Sequence, residues 1–88
     1  MRPQVAPPRP RDQEPPVRSY DRTWEEIERM LDQALAKQHG WRQWYQASKD
    51  HGDKDSMKEA ARNHKALDGV VKTLRWVLGE EGVDHPLS

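Results

Sequence analysis

Proline is distributed unevenly along this chain of 88 residues, and its placement limits where helices can form. Six of the 7 prolines lie within residues 1–22, whereas residues 23–79 contain none. Proline fixes the backbone φ angle and lacks the N–H donor that a helix or a central strand requires. We therefore predict an extended Pro/Arg-rich arm over residues 1–22, partly in the polyproline II conformation, and regular structure only after it.

The proline-free segment carries two series of residues at heptad spacing. Within each series the spacing alternates between three and four residues, which keeps the residues on one side of a helix and is typical of coiled-coil packing. We call each series a seam. The first seam is Trp24, Ile27, Leu31, Ala34, Gln38, Trp41, Tyr45 and Ser48, and the second is Met57, Ala60, His64, Leu67, Val71, Leu74 and Leu78.

Capping residues mark the expected start of each helix. Thr23 is followed three residues later by Glu26, and Ser56 is followed at the same spacing by Glu59. In such a capping box the hydroxyl accepts from the backbone N–H of the acidic residue, whose carboxylate reaches back to the capping residue. The pattern therefore predicts Thr23 and Ser56 as the two N-caps.

Glycines mark the expected ends of the helices. Gly52 and Gly79 suit the left-handed position that commonly follows a helix. The pattern predicts helices over about 24–51 and 56–78, and the short turn between them makes the helices antiparallel neighbours. The fold class is thus all-α, a coiled-coil-like two-helix hairpin over residues 23–79. A break in the first helix at Gly40 is left open, because glycine weakens a helix.

The formal net charge of the chain is zero, but its sign changes along the sequence. Residues 1–22 carry five Arg against three acidic residues, whereas residues 80–88 carry Glu80, Glu81 and Asp84 with no Lys or Arg. We predict that 80–88 forms a short acidic tail, and that arm and tail reach onto neighbouring molecules.

Folding the chain at the turn predicts which residues of the two helices face each other. Glu28 and Asp32 are expected near Arg75 and Lys72, so that acid meets base. The large Trp41 and Tyr45 are expected to face small residues, namely Ala60, Ala61 and Ala66.

The composition disfavours an enzyme. Only 33% of the residues are hydrophobic, which is too few to enclose a dry active site in a chain of this length. There is no cysteine, no phosphate-binding glycine loop, and no histidine pair at the spacing of metal ligands. We expect no cofactor, no metal and no small-molecule substrate.

Several apolar side chains fall outside the seams and predict a protein interface. A two-helix hairpin buries one stripe per helix, so apolar residues beyond the stripe need a partner. Copies of this chain or a subunit of a larger assembly would supply it. An internal cover, by a short third helix or by the arm over the tryptophans, is the competing interpretation. The candidate interface residues are Met30, Leu35, Trp44, Val70, Trp76 and Val77.

Two further sets of residues are candidates for binding. The arm is expected to lie in a groove of a neighbouring subunit through Arg2, Pro7, Pro8, Arg9, Pro10 and Arg11. Lys58, Arg62 and Lys65 form a basic stripe on the second helix that nucleic acid could recognise, although the even charge balance disfavours nucleic acid as the main partner.

These features together predict a non-enzymatic structural or interaction protein. A capsid or tail component of a virion is the most concrete version, because the basic arm of one copy and the acidic tail of another can meet in a repeated assembly. The alternative is a small regulator or inhibitor that binds one host protein, or that binds nucleic acid weakly. No apolar run is long enough to span a membrane and the first residues lack a signal core, so we expect synthesis in the cytoplasm and later incorporation into a particle.

Overall fold

The computed structural model describes residues 16–88, and within that range the chain is all-helical with no strand. Helix α1 spans Trp24–Asp50 and helix α2 spans Lys54–Val77. Residues 16–22 and 78–88 have no regular secondary structure. Most of the predicted arm, including every residue assigned to arm docking, lies outside the described residues.

Helix α1 begins at the predicted cap. The Thr23 hydroxyl accepts a hydrogen bond of 3.1 Å from the backbone N–H of Glu26. The second half of the capping box does not form, because the Glu26 carboxylate instead accepts from the Arg22 guanidinium at 2.9 Å. This bond raises the pKa of Arg22 above its ordinary value, since it favours the charged form. The helix continues without interruption through Gly40.

The turn between the helices is built on Gly52, as predicted. Its φ angle is +71°, a conformation that costs glycine little because it has no Cβ. The Gly52 N–H donates to the carbonyl of Lys49 at 3.1 Å, and the Asp53 N–H donates to that of Ser48 at 2.9 Å. These two bonds form a Schellman motif, which closes α1 and reverses the chain within a few residues.

The prediction that Ser56 caps α2 is wrong, because Asp53 is the cap. The Asp53 carboxylate accepts from the Ser56 backbone N–H at 3.1 Å and from its hydroxyl at 2.7 Å. Asp53 leaves the turn in an extended conformation, so α2 begins at Lys54, two residues earlier than expected. Both bonds stabilise the charged carboxylate and lower the pKa of Asp53.

The two seams meet between antiparallel helices. Ala60 is fully buried and Leu31, Ala34 and Val71 are nearly so, with Leu67, Leu74 and Leu78 packed around them. Gln38 joins the two helices, because its side-chain amide donates to the Asp68 carboxylate and to the His64 carbonyl. Among the described residues no large side chain is completely buried, so the core is thin for a free-standing fold.

Candidate functional site

The hairpin has two flanks, one on either side of the seams. Met30 and Val70 each come one residue before a seam residue, whereas Leu35 comes one residue after one. In an antiparallel pair, residues that precede the seam on both helices share one flank, and residues that follow it share the other. The six candidate interface residues therefore do not form a single face. The residues that line the two flanks confirm this separation.

The first flank is open. Met30 of α1 lines a shallow groove together with five residues of α2: Ala66, Gly69, Val70, Thr73 and Leu74. Trp44 lies four helical turns beyond Met30 on the same side of α1, and Val77 lies two turns beyond Val70 on α2. Met30 is 52% exposed, Trp44 50% and Val77 38%. Among residues 16–88, the groove walls come from the two helices alone. We call this surface the open flank.

The C-terminal segment of the sequence, residues 78–88, covers the part of the second flank that lies away from the turn. Val83 and Asp84 line one cleft with Leu35, Lys72 and other residues of both helices. The chain reaches this flank through a second Schellman turn at Gly79, whose φ angle is +75°. We call this surface the covered flank.

Trp76 is also in contact with the C-terminal segment. Its ring lies edge-to-face with the ring of His85, with 5.0 Å between the two centroids. The His85 Nδ1 accepts a hydrogen bond of 3.1 Å from the backbone N–H of Leu87, which fixes the ring. Such aromatic pairs contribute about 0.5–1.5 kcal/mol beyond the area that they bury.

The structure thus divides the six predicted interface residues. Met30, Trp44 and Val77 are exposed on the open flank, and Val70 is partly buried at its edge against the core. Leu35 shares a cleft with the chain's own C-terminal segment, and Trp76 contacts that segment while remaining 45% exposed. Val83, Asp84 and His85 place the acidic tail against the helices of its own molecule, and its contact with a neighbouring molecule stays a prediction. The signal was in the sequence: one position before or after the seam decides the flank.

The predicted ion pairs between the helices do not form. In the part of the chain that the structure describes, neither Glu28 nor Asp32 lies within 4.0 Å of a basic group. Arg75 instead lies 3.9 Å from Glu80, across the turn that ends α2. The acidic neighbour of Arg75 therefore comes from the C-terminal segment, whereas the sequence predicted that it would come from α1.

The basic stripe lies near the turn and takes in more residues than predicted. Two adjoining clefts share Tyr45 and Ala61; Lys65 lines one of them and Lys58 the other. Arg62 is exposed one helical turn from Lys58 but lines neither cleft. The sequence did not predict Tyr45, Arg42 and Lys54 as neighbours of these lysines, because only the folded turn brings the two helix ends together.

Residues 16–22 lead away from the hairpin. Val17 and Tyr20 are almost fully exposed, and Tyr20 adopts a left-handed φ of 58°, which is uncommon for a residue other than glycine. Only Arg22, through its bond to Glu26, fixes this segment to the helix. The described part of the arm is therefore a projecting element.

Neither a metal-binding group nor a membrane-spanning helix is found in residues 16–88. No three His, Asp or Glu side chains in that range come together in a way that could hold an ion. Neither α1 nor α2 combines the length and the apolar character that crossing a bilayer demands. No protein-family model matches the chain, and no curated protein or solved structure is significantly similar to it.

Proposed function

We propose that this protein is a non-enzymatic interaction module that docks into a larger, multi-copy assembly through its open flank. The exposure of Met30, Trp44 and Val77 on one side of the hairpin carries this proposal, because the C-terminal segment packs on the other side. Exposed apolar side chains that share one side of a molecule commonly mark a protein interface. The exposed residues 16–22 offer a second contact to a neighbouring subunit.

The thin core supports dependence on a partner. Four hydrophobic side chains are buried in the described hairpin, and two of them are alanines. Short helical hairpins gain stability by burying a second stripe against further helices. Other copies of this chain are the simplest source of those helices, because most closed assemblies are homo-oligomers. An accessory component of a phage capsid or tail is the most concrete version of the proposal.

Mass in solution tests the proposal. Light scattering should show full-length chains assembling as their concentration rises, and Trp44→Ala should lower the assembled mass while leaving helical content unchanged. Trp24→Ala is the matched control, because Trp24 is 65% exposed but does not lie on the open flank.

Two results would count against the proposal. If Trp44→Ala lowers the helical content as strongly as it lowers the assembled mass, Trp44 belongs to an internal core. A folded monomer at every concentration, both for the full chain and for a chain lacking residues 1–22, would remove self-assembly and favour the alternative of a regulator that binds one different protein.

Nucleic-acid binding is a second candidate, favoured by one observation. Lys58 and Lys65 lie beside the exposed ring of Tyr45, and basic groups around an aromatic ring are typical of single-strand binding. Binding to phosphates would weaken steeply between low and moderate salt. No binding of an oligonucleotide at low salt would exclude this candidate.

A further inference from the structure

The two clefts at the turn end of the hairpin form a surface that the open flank does not include. They meet at Tyr45, which is 36% exposed, and at Ala61. The fully buried Ala60 lies at the base of one of them. Small side chains opposite a large ring leave a recess with an apolar floor. We call this surface the tyrosine cleft.

The rim of the tyrosine cleft is basic. Arg42 and Lys65 line one side, and Lys54 and Lys58 line the other. Among residues 16–88, no carboxylate lines either part. A surface with an apolar floor and a cationic rim is complementary to a peptide that carries carboxylates beside an apolar side chain.

Residues 80–88 have that complementary chemistry. They contain Glu80, Glu81 and Asp84 and no basic Lys or Arg, and their Leu87 is 88% exposed. Val83 and His85 make the contacts that hold the segment on the covered flank. Glu81 and Leu87 are exposed in this docked position. The segment can therefore present a carboxylate and an apolar side chain to a neighbour without leaving its own hairpin.

The segment does not fill the tyrosine cleft of its own molecule. It lies beside Leu35, ten residues from Tyr45 along α1, which corresponds to roughly 15 Å. Its residues line neither part of the tyrosine cleft. While the segment is docked on its own hairpin, the residues 80–88 that enter a tyrosine cleft must therefore come from another molecule.

We propose that the tyrosine cleft of one copy binds residues 80–88 of a second copy, head to tail. This inference rests on the proposed function, since it names one contact of the multi-copy assembly. A head-to-tail contact uses two different surfaces, so each copy retains one free donor segment and one free cleft. Such a contact extends an assembly, whereas pairing through the open flank closes it.

Binding of the isolated segment tests the cleft. A fluorescein-labelled peptide of residues 80–88 should bind the full chain in an anisotropy titration. Lys58→Glu with Lys65→Glu should weaken its binding at least tenfold, because both substitutions reverse charge on the rim. The matched control is Arg29→Glu with Lys37→Glu, two exposed residues of α1 away from the cleft, which should change the affinity less than twofold.

The same titration separates the alternatives. Failure of the peptide to bind at millimolar chain concentration would overturn the proposal, and so would equal weakening by the control pair. Tighter binding of a single-stranded oligonucleotide of matched length, lost steeply with salt, would assign the cleft to nucleic acid instead. Assembly that still responds to Trp44→Ala in any of these cases would leave the proposed function standing.

Mixing two variants tests the head-to-tail geometry. A chain with Lys58→Glu and Lys65→Glu keeps its donor segment, and a chain with Glu81→Lys and Leu87→Ser keeps its cleft. Sedimentation should show that neither variant alone grows beyond its smallest unit, whereas an equal mixture forms a larger species. A mixture that sediments as the sum of its separate components would contradict the contact.

Discussion

The open flank and the covered flank have similar sequence patterns but different contacts in the folded chain. Each carries apolar residues directly beside a seam, Met30 and Val70 on one side and Leu35 on the other. On the covered flank, Val83 and His85 supply the missing contacts from within the described chain. No described residue outside the helices lines the groove of the open flank. The C-terminal segment thus packs beside one flank, whereas no described segment packs beside the groove of the other.

The largest expected effect separates the core from the open flank at two adjacent residues. Leu31→Ala should lower the free energy of unfolding by about 2–4 kcal/mol, because it removes buried methyl groups and leaves a cavity. Met30→Ala should lower it by less than about 1 kcal/mol, since Met30 is half exposed. Urea unfolding at low chain concentration measures both. Equal losses would mean that Met30 belongs to the core.

Glycines inside the helices provide the next comparison. A Cβ added at Gly40 or Gly69 would meet no atom within 4 Å. Each substitution by Ala should therefore stabilise the hairpin by about 1 kcal/mol through helix propensity. Gly69 lines the open groove, so Gly69→Ala should also weaken assembly if a partner helix approaches there. Thermal unfolding and light scattering together report both effects, and assembly unaffected by Gly69→Ala would place the partner elsewhere on the flank.

The covered flank can be loosened at His85. His85→Ala removes the edge-to-face contact with Trp76 and the acceptor for the Leu87 N–H, and should lower the free energy of unfolding by about 1 kcal/mol. Leu87→Ala is the control, because its side chain is almost fully exposed and should change stability little. Equal stability of the two variants would show that the segment does not cover this flank in solution.

The smallest effect concerns the turn, which both flanks share. The hydrogen bonds from Ser56 place the pKa of Asp53 below its ordinary value of about 3.9. A carboxyl whose pKa is depressed on folding contributes stability that is present above the unfolded pKa and is lost as the pH falls through the folded value. The thermal midpoint should therefore drop on acidification below about pH 4. Asp53→Asn should reduce this acid dependence, and an unchanged profile would contradict the role of Asp53 as a charged cap.

Much of the fold could be predicted from the sequence, because the relevant signals are local. Heptad spacing located both seams, and Thr23, Gly52 and Gly79 marked three of the four helix ends. The cap at Asp53 was missed because two polar residues, Asp53 and Ser56, both stand before the second helix. Only the geometry of the turn decides which of them accepts the first hydrogen bonds.

The candidate site was harder to predict, because it depends on contacts between distant parts of the chain. Met30, Trp44, Trp76 and Val77, which lie outside the seams, are exposed, but so are the seam residues Trp24 and Tyr45. The division of the candidate interface residues between two flanks needed the antiparallel register. The packing of residues 78–88 against the helices was not predicted. The segment was interpreted from its net charge, and the contacts of Val83 and His85 were not considered.

The rate at which a thiol on the open flank is labelled tests the central claim most directly. The chain contains no cysteine, so Thr73→Cys in the open groove and Gln43→Cys on the exposed side of α1 each introduce a single reporter. Labelling of Thr73→Cys should slow as the chain concentration rises, while labelling of Gln43→Cys stays constant. A rate at position 73 that does not depend on concentration would contradict the claim that other copies cover the open flank.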